Sequence, residues 1–243
     1  MRKAIFAGVA LSLLVVPQAA WAQSVTADLG QGSISGRAIQ LLMLMTVLSL
    51  APGILMTVTS FTRIVVALSL LRTGIGAPGV PPNPVIISLA LFLSFFVMAP
   101  TFDVAWRDGI KPYNEGRISE AVAFERTSKP FHAFMLQHVR DEDVRLFVDM
   151  SGKRPTTRAD LPLTTLMPAF MISELRRAFE IGFLLLLPFL VIDLAVAAVL
   201  MAMGMMMLPP ATISLPMKII FFVLVDGWAL IAGSLVKSFG GAG

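Results

Sequence analysis

The run PAFMISELRRAFEIGFLLLLPFLVIDLAVAAVLMAMGMMMLPPATISLP, residues 168–216, decides the fold. Between Ile181 and Leu208 it carries one charge, Asp193, and no face that could be given to water. A helix so apolar on every side belongs in a bilayer or a protein interior. At about 1.5 Å per residue this part would be about 42 Å long, well beyond a hydrocarbon core of roughly 30 Å. It must tilt, break or leave the bilayer. Pro188 is an expected break, and Met203 to Pro210 separates this part from the last apolar stretch of the chain.

Outward from this run lie three more apolar stretches, roughly Leu41 to Leu71, Val85 to Trp106 and Ile213 to Val236. Pro52-Gly53 is expected to interrupt the first. The whole chain of 243 residues is 56% apolar and 14% charged, with a mean hydropathy of +0.83. That excludes a soluble globular enzyme and a disordered binder. The class predicted is an all-α integral membrane protein of Pro/Gly-broken apolar helices and hairpins. A helical external segment, residues 107–173, separates the pair 41–106 from the pair 174–243. There is no cysteine, hence no disulfide and no thiolate chemistry. The net charge of +4 is not gathered on a basic face, so no nucleic-acid partner is expected.

The N-terminus reads as an export signal over residues 1–22: Arg2 and Lys3, the apolar run Ala4 to Val16, then Ala20-Trp21-Ala22. An uncleaved first anchor is the alternative. Residues 23–40 are then an external, mobile segment, and alternation of the spans leaves 107–173 outside the inner membrane. Within that segment Phe131, Phe134, Met135 and Val139, then Leu146, Phe147 and Met150, predict two short amphipathic helices. His132 and His138 are six residues apart and no carboxylate completes a ligand spacing, so no metal or other cofactor is expected. Walker, G-x-S-x-G and H-E-x-x-H motifs are missing, and no enzymatic activity is expected.

Four charges stand well inside the apolar stretches: Arg63, Asp193, Lys218 and Asp226; Asp103, at the end of the second, belongs with the polar segment. A lone charge facing lipid is costly, so each should face protein or water. Three readings of Asp193 and Asp226 stand: a proton or ion relay, a packing ion pair with Arg63 or Lys218 of this or a neighbouring subunit, or a carboxylate capping an unwound helix. In SELRRAFEIG, Glu174 and Arg177 at i,i+3 and Arg176 and Glu180 at i,i+4 support a helix. Alternatively, Glu174 or Arg177 contacts an adjacent subunit. Met201, Met203, Met205, Met206 and Met207 crowd five thioethers in front of Pro209-Pro210. Three consecutive methionines after Gly204 cannot share one helix face, so they predict a loop. Repeated around a ring, it would make a deformable apolar constriction. The blander reading is ordinary lipid-facing or core methionine.

TSFTRIVVALSLLR, PPNPVIISLALFLSFFVMAP, the 168–216 run and VLVDGWALIAGSLVKSF together resemble the FliP family of flagellar export-gate proteins over residues 41–239. Pro84 stands where the family's PPNQV motif has glutamine. The resemblance implies five copies of this chain assembled with FliQ and FliR in the flagellar basal body, a pore for unfolded flagellar substrates, and a gasket made by Met205, Met206 and Met207. It also implies FliO, FlhA and FlhB as partners, alongside membrane lipid. A secondary transporter built on broken helices, or a non-conducting membrane scaffold, are the alternatives from other classes.

Overall fold

A computed structural model describes residues 34–152, 156–205 and 207–240, and every regular element among them is helical. The export signal at residues 1–22 and the stretch to residue 33 lie outside the described residues, as does Met206. The helices are α1 Ile34–Thr57, α2 Phe61–Ile75, α3 Asn83–Ala105, α4 Lys111–Asn114, α5 Glu120–His138, α6 Asp141–Ser151, α7 Leu163–Ala202, α8 Pro210–Leu224 and α9 Gly227–Lys237. A π-turn, Trp106–Ile110, joins α3 to α4, and a 3-10 turn, Arg158–Asp160, precedes α7. The chain divides into two units, one through Leu50 and one from Ala51 onward. The first holds the leading part of α1, whose Leu41, Leu42, Met43, Leu44 and Met45 are exposed. The second holds the rest of α1 and all of α2 to α9.

Several expected boundaries are corrected. Helix α1 begins at Ile34, inside the segment expected to run from 23 to 40. It also continues past Gly53 to Thr57. The break comes instead at Val58–Ser60, where hydroxyls compete for the backbone groups. Thr57 Oγ1 donates to the Ile54 carbonyl at 2.8 Å, Thr62 Oγ1 to the Met56 carbonyl at 3.2 Å, and the Phe61 N–H donates to Thr59 Oγ1 at 3.4 Å. The stretch 41–106 therefore holds parts or all of three helices, not two. Pro188 does not break α7, which runs for 40 residues through both Pro168 and Pro188. At about 1.5 Å per residue it is about 60 Å long, and the expected boundary at 173/174 falls inside it. The two helices expected at 131–150 are α5 and α6, with α5 starting earlier, at Glu120.

The long α7 has two different halves. Its first half is covered: Leu166, Ala169 and Phe170 pack with Ile64, Leu68 and Leu71 of α2 and with Phe134 and Met135 of α5. Helix α6 lies on the same half. Helices α2 and α7 run parallel and approach closely at glycines. A Cβ on Gly182 would lie 2.2 Å from Leu70 Cδ1, and one on Gly74 would lie 2.6 Å from Leu186 Cδ2. Gly76 then ends α2 with φ 77°, its N–H donating to the Arg72 carbonyl at 3.3 Å, a left-handed cap that glycine adopts without strain. Pro84 enters the first turn of α3, where its missing N–H has no helical partner to lose.

The second half of α7 is bare on one side. Phe183, Leu184, Leu190, Val191, Leu194 and Val199 are exposed, as are Met217, Ile220, Val223 and Leu224 of α8. An apolar surface of that extent is not one a monomer keeps in water. Residues 83–114 and α7 are each long and apolar enough to cross a membrane. Helices α8 and α9 reach that length only as a pair, bent by 65°.

Candidate functional site

Helices α7 and α8 form a hairpin whose tip is the methionine-rich turn. Helix α7 frays at Met203, Gly204 takes φ 74°, and the Met205 N–H still reaches the Leu200 carbonyl at 3.0 Å. Pro209 and Pro210 then start α8, the second proline in its first turn. The thioethers point away from the chain: Met207 is 98% exposed, and Met201, Met203 and Met205 are exposed as well. Gly204 is required here because a side chain at that φ would be strained. The turn thus presents soft, polarisable, uncharged groups at the end of an apolar lever.

One ion pair fixes the hairpin behind that tip. Lys218 Nζ donates to Asp193 Oδ2 at 2.6 Å and to the Gly74 carbonyl of α2 at 3.1 Å. Lys218 is buried while the Asp193 side chain is 38% exposed. Phe222 sits against Phe189 one turn further from the tip, with ring centroids 6.2 Å apart. Both pairs obey one antiparallel register, 218 against 193 and 222 against 189. Of the three readings for Asp193, the geometry provides a packing partner within the same chain.

The second ion pair departs from expectation. Arg63 does not reach Asp193 or Asp226. It forms a two-pronged pair with Glu174, Nε to Oε2 at 2.8 Å and Nη2 to Oε1 at 2.5 Å, with exposures of 1% and 0%. Its Nη1 donates to the Ser238 carbonyl at 3.0 Å and to Ser238 Oγ at 3.1 Å, and its guanidinium lies 3.6 Å from the Phe239 ring centroid. Glu174 is therefore engaged inside this chain, by a partner that neither of its two readings names. Asp193 lies 19 residues further along α7, about 28 Å away, out of reach of Arg63. Arg177, half-buried, has no carboxylate within 4.0 Å among the described residues. The i,i+4 pair Arg176 to Glu180 forms at 3.4 Å.

Around Arg63 the polar groups continue. Ser173 Oγ donates to Asp143 Oδ2 at 2.6 Å and accepts from the Arg140 N–H at 3.1 Å, tying the start of α6 to α7. The His138 ring contacts the Phe134 carbonyl at 2.8 Å through Nδ1 and the Phe239 carbonyl at 3.3 Å through Nε2. His132 faces the Leu161 carbonyl at 2.8 Å. Both imidazoles are engaged by backbone, and among the described residues no three His, Asp or Glu side chains converge on a metal-sized point. Ser238 and Phe239 were not singled out from sequence, since nothing in a C-terminal Ser-Phe-Gly marks an arginine's seat. Asp226 occupies the corner between α8 and α9, exposed and without a side-chain capping bond.

Comparison with known proteins gives one consistent result. The model of the FliP family matches residues 44–235. The chain is 60% identical over 233 residues to the flagellar biosynthetic protein FliP of Caulobacter vibrioides, covering 95% of this chain and 88% of that one. The FliP of Rhizobium meliloti is 53% identical over 241 residues, at 96% and 98% coverage. The FliP of Bacillus subtilis is 52% identical over 202 residues, at 83% and 91%.

Proposed function

Since this chain belongs to the FliP family of flagellar biosynthetic proteins, we propose that it is a core subunit of the flagellar protein export gate. Five copies, with FliQ and FliR, surround a path through which unfolded flagellar subunits cross the inner membrane. FliO, FlhA and FlhB are its further partners, and residues 107–173 lie on the periplasmic side of the basal body. Met205, Met206 and Met207, one turn from each copy, form the gasket.

The observation that carries this reading is the methionine turn: uncharged thioethers, exposed in the single chain, at the end of a hairpin fixed by an ion pair. Thioethers offer contact area without selective hydrogen bonds, which suits many different unfolded sequences passing one point. A secondary transporter that used Asp193 as its substrate site would need that acid open, whereas it is engaged by Lys218.

Two measurements test the proposal. The native mass of the solubilised complex should correspond to several copies of this chain with smaller membrane partners. Replacing Met205, Met206 and Met207 together by Ala removes bulk without adding polarity. It should raise passive ion leakage through the assembled gate, read as membrane conductance, and leave complex yield within about twofold. An assembled, substrate-free triple variant that leaks no more than the parent would return these residues to ordinary packing.

A further inference from the structure

Four charges stand well inside the apolar stretches, and three are engaged within the chain: Arg63 by Glu174, and Asp193 and Lys218 by each other. Asp226 is the fourth; Asp103 comes at the end of the second stretch, one turn before Arg107. Among the described residues its carboxylate makes no hydrogen bond and has no cation within 4.0 Å. Its backbone is left-handed, φ 49° and ψ 52°, the one such non-glycine among the described residues. The side chains beside it are apolar and exposed: Val223, Leu224, Val225, Trp228 and Leu230.

The level of Asp226 along the hairpin is set by its register. With 218 against 193 and 222 against 189, α8 ends at Leu224 opposite Leu187, and Asp226 stands at the corner just beyond it. Leu187 lies more than a turn inside Glu180, the last exposed charge on α7 before its apolar half. The corner is also held firmly. A Cβ on Gly227 would lie 2.3 Å from the Phe222 ring, and Phe222 and Trp228 meet edge to face at 5.2 Å. A fixed carboxylate framed by exposed valine, leucine and tryptophan is costly against lipid and fits a cation brought in by another apolar surface.

The apolar stretches of a second copy offer no free cation among the described residues, and its unpaired Arg177 precedes the third of them on α7. The four apolar stretches contain only Arg63 and Lys218 as basic residues, and each is already closed within its own copy. We propose that Asp226 and the apolar corner 223–230 dock an apolar helix of a different membrane polypeptide, one carrying a lysine or arginine inside its apolar run. This deepens the assembly reading above and rests on it.

The test uses the full chain in its native membrane with its partners. A photoreactive phenylalanine analogue replaces Leu224, which is 80% exposed and two residues from an intact Asp226. The expected adduct is with one heterologous membrane chain, mapped to a helix holding a lysine or arginine among apolar residues. D226K should then cut that adduct and the copurification of the heterologous chain at least tenfold. D226E should keep both within about twofold, and reversing the partner's cation to Glu in the D226K background should restore them to within about threefold. Adducts only with a second copy or with lipid, a mapped helix without a cation, unchanged copurification in D226K, or failure of the reversal would each overturn the proposal. If D226K lost its homo-oligomer, the mapped helix in the chain that keeps Asp226 decides. Absence of any other membrane chain from the wild-type complex would instead sink the export-gate reading, so the two failures are distinct.

Discussion

Removing Glu174 should do more damage than removing the whole ion pair. In the native chain Arg63 is almost fully buried and its charge is met by two carboxylate oxygens at 2.8 and 2.5 Å, with Ser238 and the Phe239 ring on its other side. Glu174→Ala leaves that guanidinium buried with only dipoles and a ring. Breaking a buried pair by removing one partner costs about 3–5 kcal/mol, whereas replacing both partners by apolar residues of similar volume is often neutral. The expected order of stability is therefore wild type and Arg63→Met/Glu174→Met together, both above Glu174→Ala. At 1.4 kcal/mol per tenfold, the single variant shifts the folding equilibrium by about two to three and a half orders of magnitude.

The assay is thermal or SDS-induced unfolding of the detergent-solubilised chain, with a double-mutant cycle over Arg63 and Glu174. Protease sensitivity of the C-terminus supplies a second readout, because Arg63 holds the Ser238 carbonyl and should release it when its own seat is lost. A Glu174→Ala chain within about 1 kcal/mol of wild type, the range of an exposed pair, would refute the reasoning. So would a double variant no more stable than the single one.

The hairpin and its packing give two further expected outcomes. Gly182→Val should destabilise by about 1–3 kcal/mol in the same unfolding assay, since its Cβ would lie 2.2 Å from Leu70 Cδ1 and 3.0 Å from Leu70 Cβ. Gly53→Ala, with nothing within 4 Å of the added Cβ, should cost nothing measurable. Asp193→Asn should lower the yield of assembled complex severalfold on native gels. Normal assembly with loss only of proton-gradient-dependent export would favour the relay instead.

The helical membrane class and the methionine turn were legible because each rests on local composition: long apolar runs for the first, three methionines between Gly204 and Pro209 for the second. The breaks were misjudged because proline and glycine were weighed above hydroxyls. Pro188 forfeits one hydrogen bond in a helix whose other bonds have no competitor. In TVTSFT, residues 57–62, the side chains themselves bond the freed backbone. The partner of Arg63 was illegible for a different reason. Glu174 is 111 residues away in sequence, and its i,i+3 neighbour Arg177 offered a local explanation that the packing of α2 on α7 overrides.

Asp193 and Lys218 sit in a hairpin whose other contacts are nearly interchangeable. Leu, Val, Ala and Met along α7 and α8 would pack acceptably in several registers, because sliding one apolar helix past another exchanges similar groups for similar groups. Moving α8 by one residue rotates its side chains by about 100°, which would strip Lys218 from both Asp193 and the Gly74 carbonyl and leave two unpaired charges against apolar surface. The pair thus selects one register at little net gain in stability, the role for which buried polar groups are best attested. Because Gly74 belongs to α2, the same lysine also fixes where the hairpin stands along the covered half of the protein. The turn at 201–208 has no anchor of its own among the described residues beyond its backbone bonds. Its position is inherited from a pair about ten residues back on each strand of the hairpin, which lets the tip be soft while its height is set.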